Sequence, residues 1–227
     1  MRYAEERARI CEFARSMYDR WLTNAAGGNI SCRVGADRFL MTATGLSSHR
    51  LWRIDPEDIL LVDHELSILE GRGRTTREIN MHLAMYDADP ELKAVFHAHP
   101  RDLMVHACRG QGMPVVCEAL RFLGDTVPCL DYHPATTVEL AKAVGHWTAG
   151  FGQGFRDRVT AAEDIYAYGL LLNRHGVIVG AESLVAGYEM LERLDTNAYV
   201  VNHWDQALVA PRGIASTDER EPADARS

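Results

Sequence analysis

The 227-residue chain contains no apolar run long enough to span a membrane, and its start, MRYAEERARICEFARSMYDRWL, is too charged for the core of a signal peptide. It is poor in cysteine. Cys11, Cys32, Cys108, Cys117 and Cys129 form an odd set without a C-x-x-C pair, which predicts neither a disulfide framework nor a cysteine zinc site. A reducing cytoplasm is the expected location. Positive charge is also in deficit, with a net charge of −8. That balance argues against nucleic acid and anionic membranes as partners, while leaving room for a local basic pocket that captures a small anion. Internal repeats and domain linkers are lacking as well. One domain over residues 1–210 is therefore expected, followed by a polar tail, 211–227, expected to be disordered.

What is present is an ordinary globular composition, with 47% hydrophobic and 25% charged residues. The patterning predicts a helix over about residues 2–21 and strands at SCRVG, DRFLMTAT, ILLVD and ELSILEG. A helix is expected over 75–87, opened by Thr75 or Thr76. LKAVFHAH reads as a strand, PRDLMVHACRG as a helix with proline in its first turn, and 136–148 as another helix. GFGQGFRDRVT reads as a Gly-rich insertion or mobile loop. YAYGLLLNRHGVIVGA predicts two strands with a tight turn at Arg174–Gly176, and a long helix is expected from Leu184 to Val209. Together these elements predict a mixed sheet with helices packed on its faces.

Ten histidines are many for this length. His97 and His99 in AVFHAHP point to the same face of a strand, about 6–7 Å apart, where two imidazoles can reach one metal ion or can simply be packed. His175, in NRHGVIVG, is a candidate third imidazole, and three imidazoles with an open position make a catalytic rather than a structural arrangement. In GGNIS, Gly27 and Gly28 let backbone N–H groups approach an anion, with the Asn29 amide and Ser31 hydroxyl as further donors; the same residues also suit a helix C-cap and turn. In TTREINMH, Glu78 and His82 lie four apart on one helical face. They make either an exposed pair or a carboxylate set near a metal for acid–base work, with Arg77 beside it.

Taken in order, GGNIS, TATG, T-x-E-x-x-x-H, HAH and RHG resemble the class II aldolase family, which includes fuculose-phosphate aldolase, ribulose-phosphate 4-epimerase and adducin-type domains. The resemblance spans roughly residues 5–205. It implies a three-layer α/β/α sandwich around a central, mainly antiparallel sheet, and a homotetramer with active sites at subunit interfaces. It makes His97, His99 and His175 ligands of a divalent metal, expected to be zinc, with manganese, cobalt or iron also compatible. It makes Glu78 the catalytic carboxylate, with a raised pKa expected. It puts Gly28, Asn29, Thr44, Gly45, Thr76 and Arg77 around the substrate's phosphate or other anion.

The chain departs from the family pattern at two places that bear on the reaction. Where the sugar-phosphate aldolases carry two serines before the carboxylate, it has Thr76 and Arg77, and the arginine fork suits a carboxylate or a phosphate. Cys117 is expected where the fuculose-type aldolases place a proton-donating tyrosine. The stretch 146–158 is expected to be either a substrate lid or a subunit contact. The function implied is a metal-dependent carbon–carbon lyase of carbohydrate metabolism acting on a small hydroxy- or oxo-carbonyl substrate, foremost by retro-aldol cleavage. The alternatives are decarboxylation of a β-keto or hydroxy acid, a sugar-phosphate dehydratase, a 4-epimerase, and a non-catalytic adducin-like module.

Overall fold

The computed structural model describes residues 1–159 and 165–204. Helix α1 (Ala4–Asp19) buries Ile10, Phe13, Ala14 and Met17, a stripe at helical spacing, and carries Glu5 and Glu6 at its positive end. Strands β1 (Asn29–Gly35) and β2 (Arg38–Thr42) form a hairpin, followed by the short helix α2 (Leu46–Arg50) and strands β3 (Ile59–Val62) and β4 (Ile68–Glu70). Helix α3 (Ile79–Ala88) leads into β5 (Ala94–Ala98) and α4 (Arg101–Arg109). A small ribbon, β6 (Met113–Pro114) with β7 (Thr126–Val127), encloses a 3-10 turn at Glu118–Leu123. Then come β8 (Cys129–Leu130), α5 (Val138–Val159), β9 (Ala167–Leu172), β10 (Gly176–Ala181) and α6 (Leu184–His203).

Eight strands make one sheet in the order β4-β3-β2-β1-β5-β10-β9-β8. Every neighbouring pair is antiparallel except β8 with β9. Strand β5 lies inside the sheet with all five residues buried, so both its faces need partners. Phe96 points to the face covered by α1 and α6, where it meets the Phe13 ring edge-on at 6.3 Å. The other face, shared by Val95 and His97, carries α3 and α5. The result is the three-layer α/β/α sandwich with a mainly antiparallel sheet. Among the described residues, no helix is long and apolar enough to cross a membrane.

Three expectations need correction. Helix α3 starts at Ile79, and Glu78 is its N-cap rather than a first-turn residue, because Arg77 and Glu78 form a turn ahead of it. Strand β5 ends at Ala98, so His99 lies just beyond it. The Gly-rich stretch after residue 148 is the second half of α5 and not a loop. Gly145 and Gly152 of this helix permit close packing against α3 and the Asp89 that caps it. A Cβ on Gly145 would sit 3.2 Å from that of Ala84 on α3, and one on Gly152 would sit 3.0 Å from the Asp89 carboxylate. The aromatic rings of this half turn inward, with Trp147 and Phe151 stacked at 4.6 Å and Phe155 against Tyr168 at 5.4 Å. The expected disordered tail and the end of the last helix fall outside the described residues.

Asp89 ties these layers together. Its carboxylate is 1% exposed and accepts from Tyr166 at 2.6 Å, Tyr168 at 2.9 Å and Arg156 at 3.1 Å. Replacing it leaves buried hydroxyl groups without an acceptor, so Asp89→Ala is expected to cost about 3 kcal/mol in urea unfolding. A loss below about 1 kcal/mol, the size of an exposed ion pair, would contradict the packing described.

Candidate metal and anion site

Sheet register and turn geometry assemble the site. Asn29 on β1 and Ile178 on β10 pair with His97 from opposite sides, fixing His97 in mid-sheet. His99 follows the end of β5, His175 occupies the β9–β10 turn, and Glu78 opens α3. Gly28 introduces β1 with φ of 97°, and a Cβ there would lie 2.5 Å from the Thr23 hydroxyl oxygen, so no other residue fits that approach.

The three imidazoles each turn a nitrogen to a common point, all within 4.8 Å of one another. Nε2 of His97 is 3.1 Å from Nε2 of His99, and Glu78 reaches Nε2 of His175 at 2.9 Å and Nε2 of His97 at 3.4 Å. His97 donates from Nδ1 to the carbonyl of Val177 at 2.9 Å, which leaves its Nε2 lone pair facing the cluster. Burial pushes the imidazoles down, to about 4 at His97 and about 3 at His99, so both are neutral lone-pair donors at neutral pH. Three imidazoles, two of them held neutral by burial, and one carboxylate converging beside open space fit a divalent cation of the zinc, manganese, cobalt or iron type.

Glu78 differs from expectation. Burial opposes its charge, but the His97 and His175 imidazoles and a hydrogen bond from Asn29 outweigh burial and hold the carboxyl well below the usual carboxylate range. It is therefore an ionised base in this state and not an acid with a raised pKa. Its relation to His82 is also indirect. His82 is fully buried and reaches Asn29, not Glu78, because the carboxylate stands outside the first helical turn.

A cavity of about 370 Å³ opens beside this cluster, lined by Gly28, Asn29, Thr44, Gly45, Thr76, Arg77, Glu78, His99 and His175, with His97 buried behind them. Arg77 is exposed at the rim. The Asn29 amide is already engaged, donating to Glu78 at 2.9 Å and to the Thr76 hydroxyl at 3.3 Å. Ser31 does not face the cavity; its hydroxyl lies between His82 and Tyr86. Cys117 is not among the lining residues either. It begins the 3-10 turn, its backbone N–H held by the Asn197 side chain at 2.9 Å. Sequence reasoning missed Ser47, Ser48, Trp52 and Thr136, which also line the cavity. The serines directly after TG carried a signal; Trp52 and Thr136 enter through left-handed backbone turns, with φ of 60° and 66°, that no local pattern announced.

The model of the family described as Class II Aldolase and Adducin N-terminal domain matches residues 8–201. A 5-deoxy-D-ribulose 1-phosphate aldolase of Bacillus thuringiensis is 26% identical over 217 residues, covering 96% of this chain and 92% of the relative. A 3-oxo-tetronate 4-phosphate decarboxylase of Haemophilus influenzae is 36% identical over 99 residues, covering 44% of this chain and 45% of the relative. Among solved structures, an L-fuculose 1-phosphate aldolase superposes with a TM-score of 0.74 at 22% identity, covering 91% of this chain and 89% of that one, a likeness of fold.

Two outcomes follow from this geometry. Protein loaded with zinc or manganese and dialysed is expected to retain one ion per chain, and His97→Ala about one-tenth of that or less, with the circular dichroism spectrum unchanged; equal retention would contradict the site. Because His82, His97 and His99 titrate at about 3–4 when folded against about 6.5 when unfolded, the unfolded chain binds more protons between those values. Stability of the metal-free protein is thus full above about pH 6.5 and lost as pH falls towards 4. A urea midpoint at pH 4.5 equal to that at pH 7.5 would contradict the burial of neutral imidazoles.

Proposed function

Since the chain belongs to the class II aldolase and adducin family, we propose that it is a divalent-metal-dependent carbon–carbon lyase that cleaves a sugar-phosphate-like hydroxyketone by retro-aldol chemistry. The observation that carries this reading is the convergence of the Glu78 carboxylate with three imidazole nitrogens at the wall of one cavity. The extent of the aldolase relatives supports it, since they align along nearly the whole chain. In this reading His97, His99 and His175 hold the cation, which supplies Lewis-acid polarisation of a substrate carbonyl. Gly28, Asn29, Thr44, Gly45, Thr76 and Arg77 receive the anionic end of the substrate, so that its reacting carbons lie against Glu78.

The ionised Glu78 acts first as base. It removes the proton of the hydroxyl whose carbon becomes the new aldehyde. The oxygen's pair forms the aldehyde carbonyl while the carbon–carbon pair moves to the ketone side. Glu78 then returns the proton to the carbon that received that pair, and the carboxylate is regenerated. A homotetramer in the cytoplasm is part of the same proposal, and the unpaired state of all five cysteines supports a reducing compartment.

Decarboxylation is the second reading, favoured by Arg77 at the cavity rim and by the decarboxylase relative's higher identity over its shorter span. Arg77 can grip a carboxylate with its planar fork.

Metal-loaded protein given 5-deoxyribulose 1-phosphate is expected to release dihydroxyacetone phosphate and acetaldehyde, with kcat lowered about 10²–10⁴-fold in Glu78→Gln. Carbon dioxide from 3-oxo-tetronate 4-phosphate, without aldehyde release from the ketose phosphate, would establish the second reading instead. Arg77→Met is expected to raise KM about tenfold for the substrate that is turned over, as removal of one charge-assisted contact implies.

A further inference from the structure

The geometry assigns to His82 a positioning role: we propose that it works through Asn29 to aim the Glu78 carboxylate, without itself touching substrate or metal. This inference rests on the reading of Glu78 as the proton-transfer group.

His82 is wholly buried on α3, and both its ring nitrogens are engaged. Nε2 lies 2.6 Å from Oδ1 of Asn29, and Nδ1 lies 2.7 Å from the Ser31 hydroxyl. Ser31 in turn meets the Tyr86 hydroxyl at 2.9 Å. At the other end, Nδ2 of Asn29 meets Oε2 of Glu78 at 2.9 Å. The Asn29 amide sets the direction of every link, because its nitrogen faces Glu78 and its oxygen faces His82. That oxygen only accepts, so the proton of the neutral ring sits on Nε2. Nδ1 then has a lone pair, Ser31 donates to it, and Tyr86 donates to Ser31. The chain runs Tyr86 to Ser31 to His82 to Asn29 to Glu78, with charge only at its end. Burial holds His82 down at about 4, so the ring stays neutral across the working range.

The fold gives this chain its spacing. Asn29 and Ser31 are two apart on β1 and share a face of the strand. His82 and Tyr86 are four apart on α3 and share a side of the helix. Two strand residues span about 6.8 Å and one helical turn about 5.4 Å, so the two pairs face each other rung by rung. Glu78 and Thr76 hold the amide through its nitrogen, and His82 is the side chain that holds its oxygen. Without the imidazole that buried oxygen loses its donor, and the amide is no longer fixed at both ends behind the carboxylate.

The test separates this role from simple packing and from the functional reading. His82→Leu keeps the bulk and removes both ring nitrogens, whereas in His82→Gln the side-chain amide can donate from the former Nε2 position. Metal-loaded His82→Leu is expected to lose kcat about 10–100-fold, the usual effect of removing a hydrogen-bond partner behind a reacting group, with KM and bound metal within about twofold of wild type. His82→Gln is expected to recover kcat to within about threefold of wild type. Solid-state ¹⁵N NMR of histidine-labelled, metal-free wild type should show the His82 signal, identified by its loss in His82→Gln, as the Nε2–H tautomer. A proton on Nδ1, a His82→Leu enzyme with wild-type kcat, or no recovery in a folded His82→Gln would each overturn the proposal. Should the wild type cleave none of the substrates, the functional reading fails, and the tautomer alone still decides whether the chain of donors exists.

Discussion

A largely buried carboxylate has been set against the middle of a sheet with no arginine or lysine among the described residues paired to it, and much of the surrounding structure is arranged to make that tolerable. Taking one charge out of water costs several kcal/mol unless partners replace its hydration. Glu78 receives part of that replacement from the His175 ring, 2.9 Å away on one side, and from the Asn29 amide at 2.9 Å on the other. The groups around it are fixed in turn. His97 is pinned by the carbonyl of Val177 and by the pairing of β5 with β1 and β10, while Asn29 is pinned by His82. The neutral rings of His97 and His99 beside an ionised carboxylate make a site rich in lone pairs, which is the environment a divalent cation completes.

The scaffold keeps its own stability apart from this site. The Asp89 network, the stacked rings of α5 and the glycine-mediated contact between α3 and α5 lock the helical layer over the far half of the sheet. That layer supports α3, whose N-terminal end carries Glu78 and whose buried side carries His82 and Tyr86.

Much of this was legible in the sequence, for identifiable reasons. The alternation around AVFHAHP placed His97 on one face of a strand, and the RHG turn between two apolar runs placed His175 at a hairpin tip. Five short motifs in the right order brought Gly28, Asn29, Thr44, Gly45, Thr76, Arg77 and Glu78 to the cavity wall. What could not be read were facts that depend on partners distant in sequence. The stretch GFGQGF read as a loop because the close approach of Asp89 to Gly152 is invisible locally. Glu78 was expected to have a raised pKa because burial is the usual cause of a shift; the opposing imidazoles come from residues 97 and 175. Ser31 and His82 were read as groups of the site itself. Their pairing across β1 and α3 makes them its support, and only the register of strand against helix reveals that.

The central claim is that His97, His99 and His175 share one divalent ion beside Glu78. Crystals of the protein grown with manganese or zinc, with diffraction recorded on either side of that metal's absorption edge, test it most directly. The account predicts one anomalous peak per chain, within about 2.0–2.3 Å of Nε2 of all three histidines. No peak there, or a peak held by other residues, would contradict it.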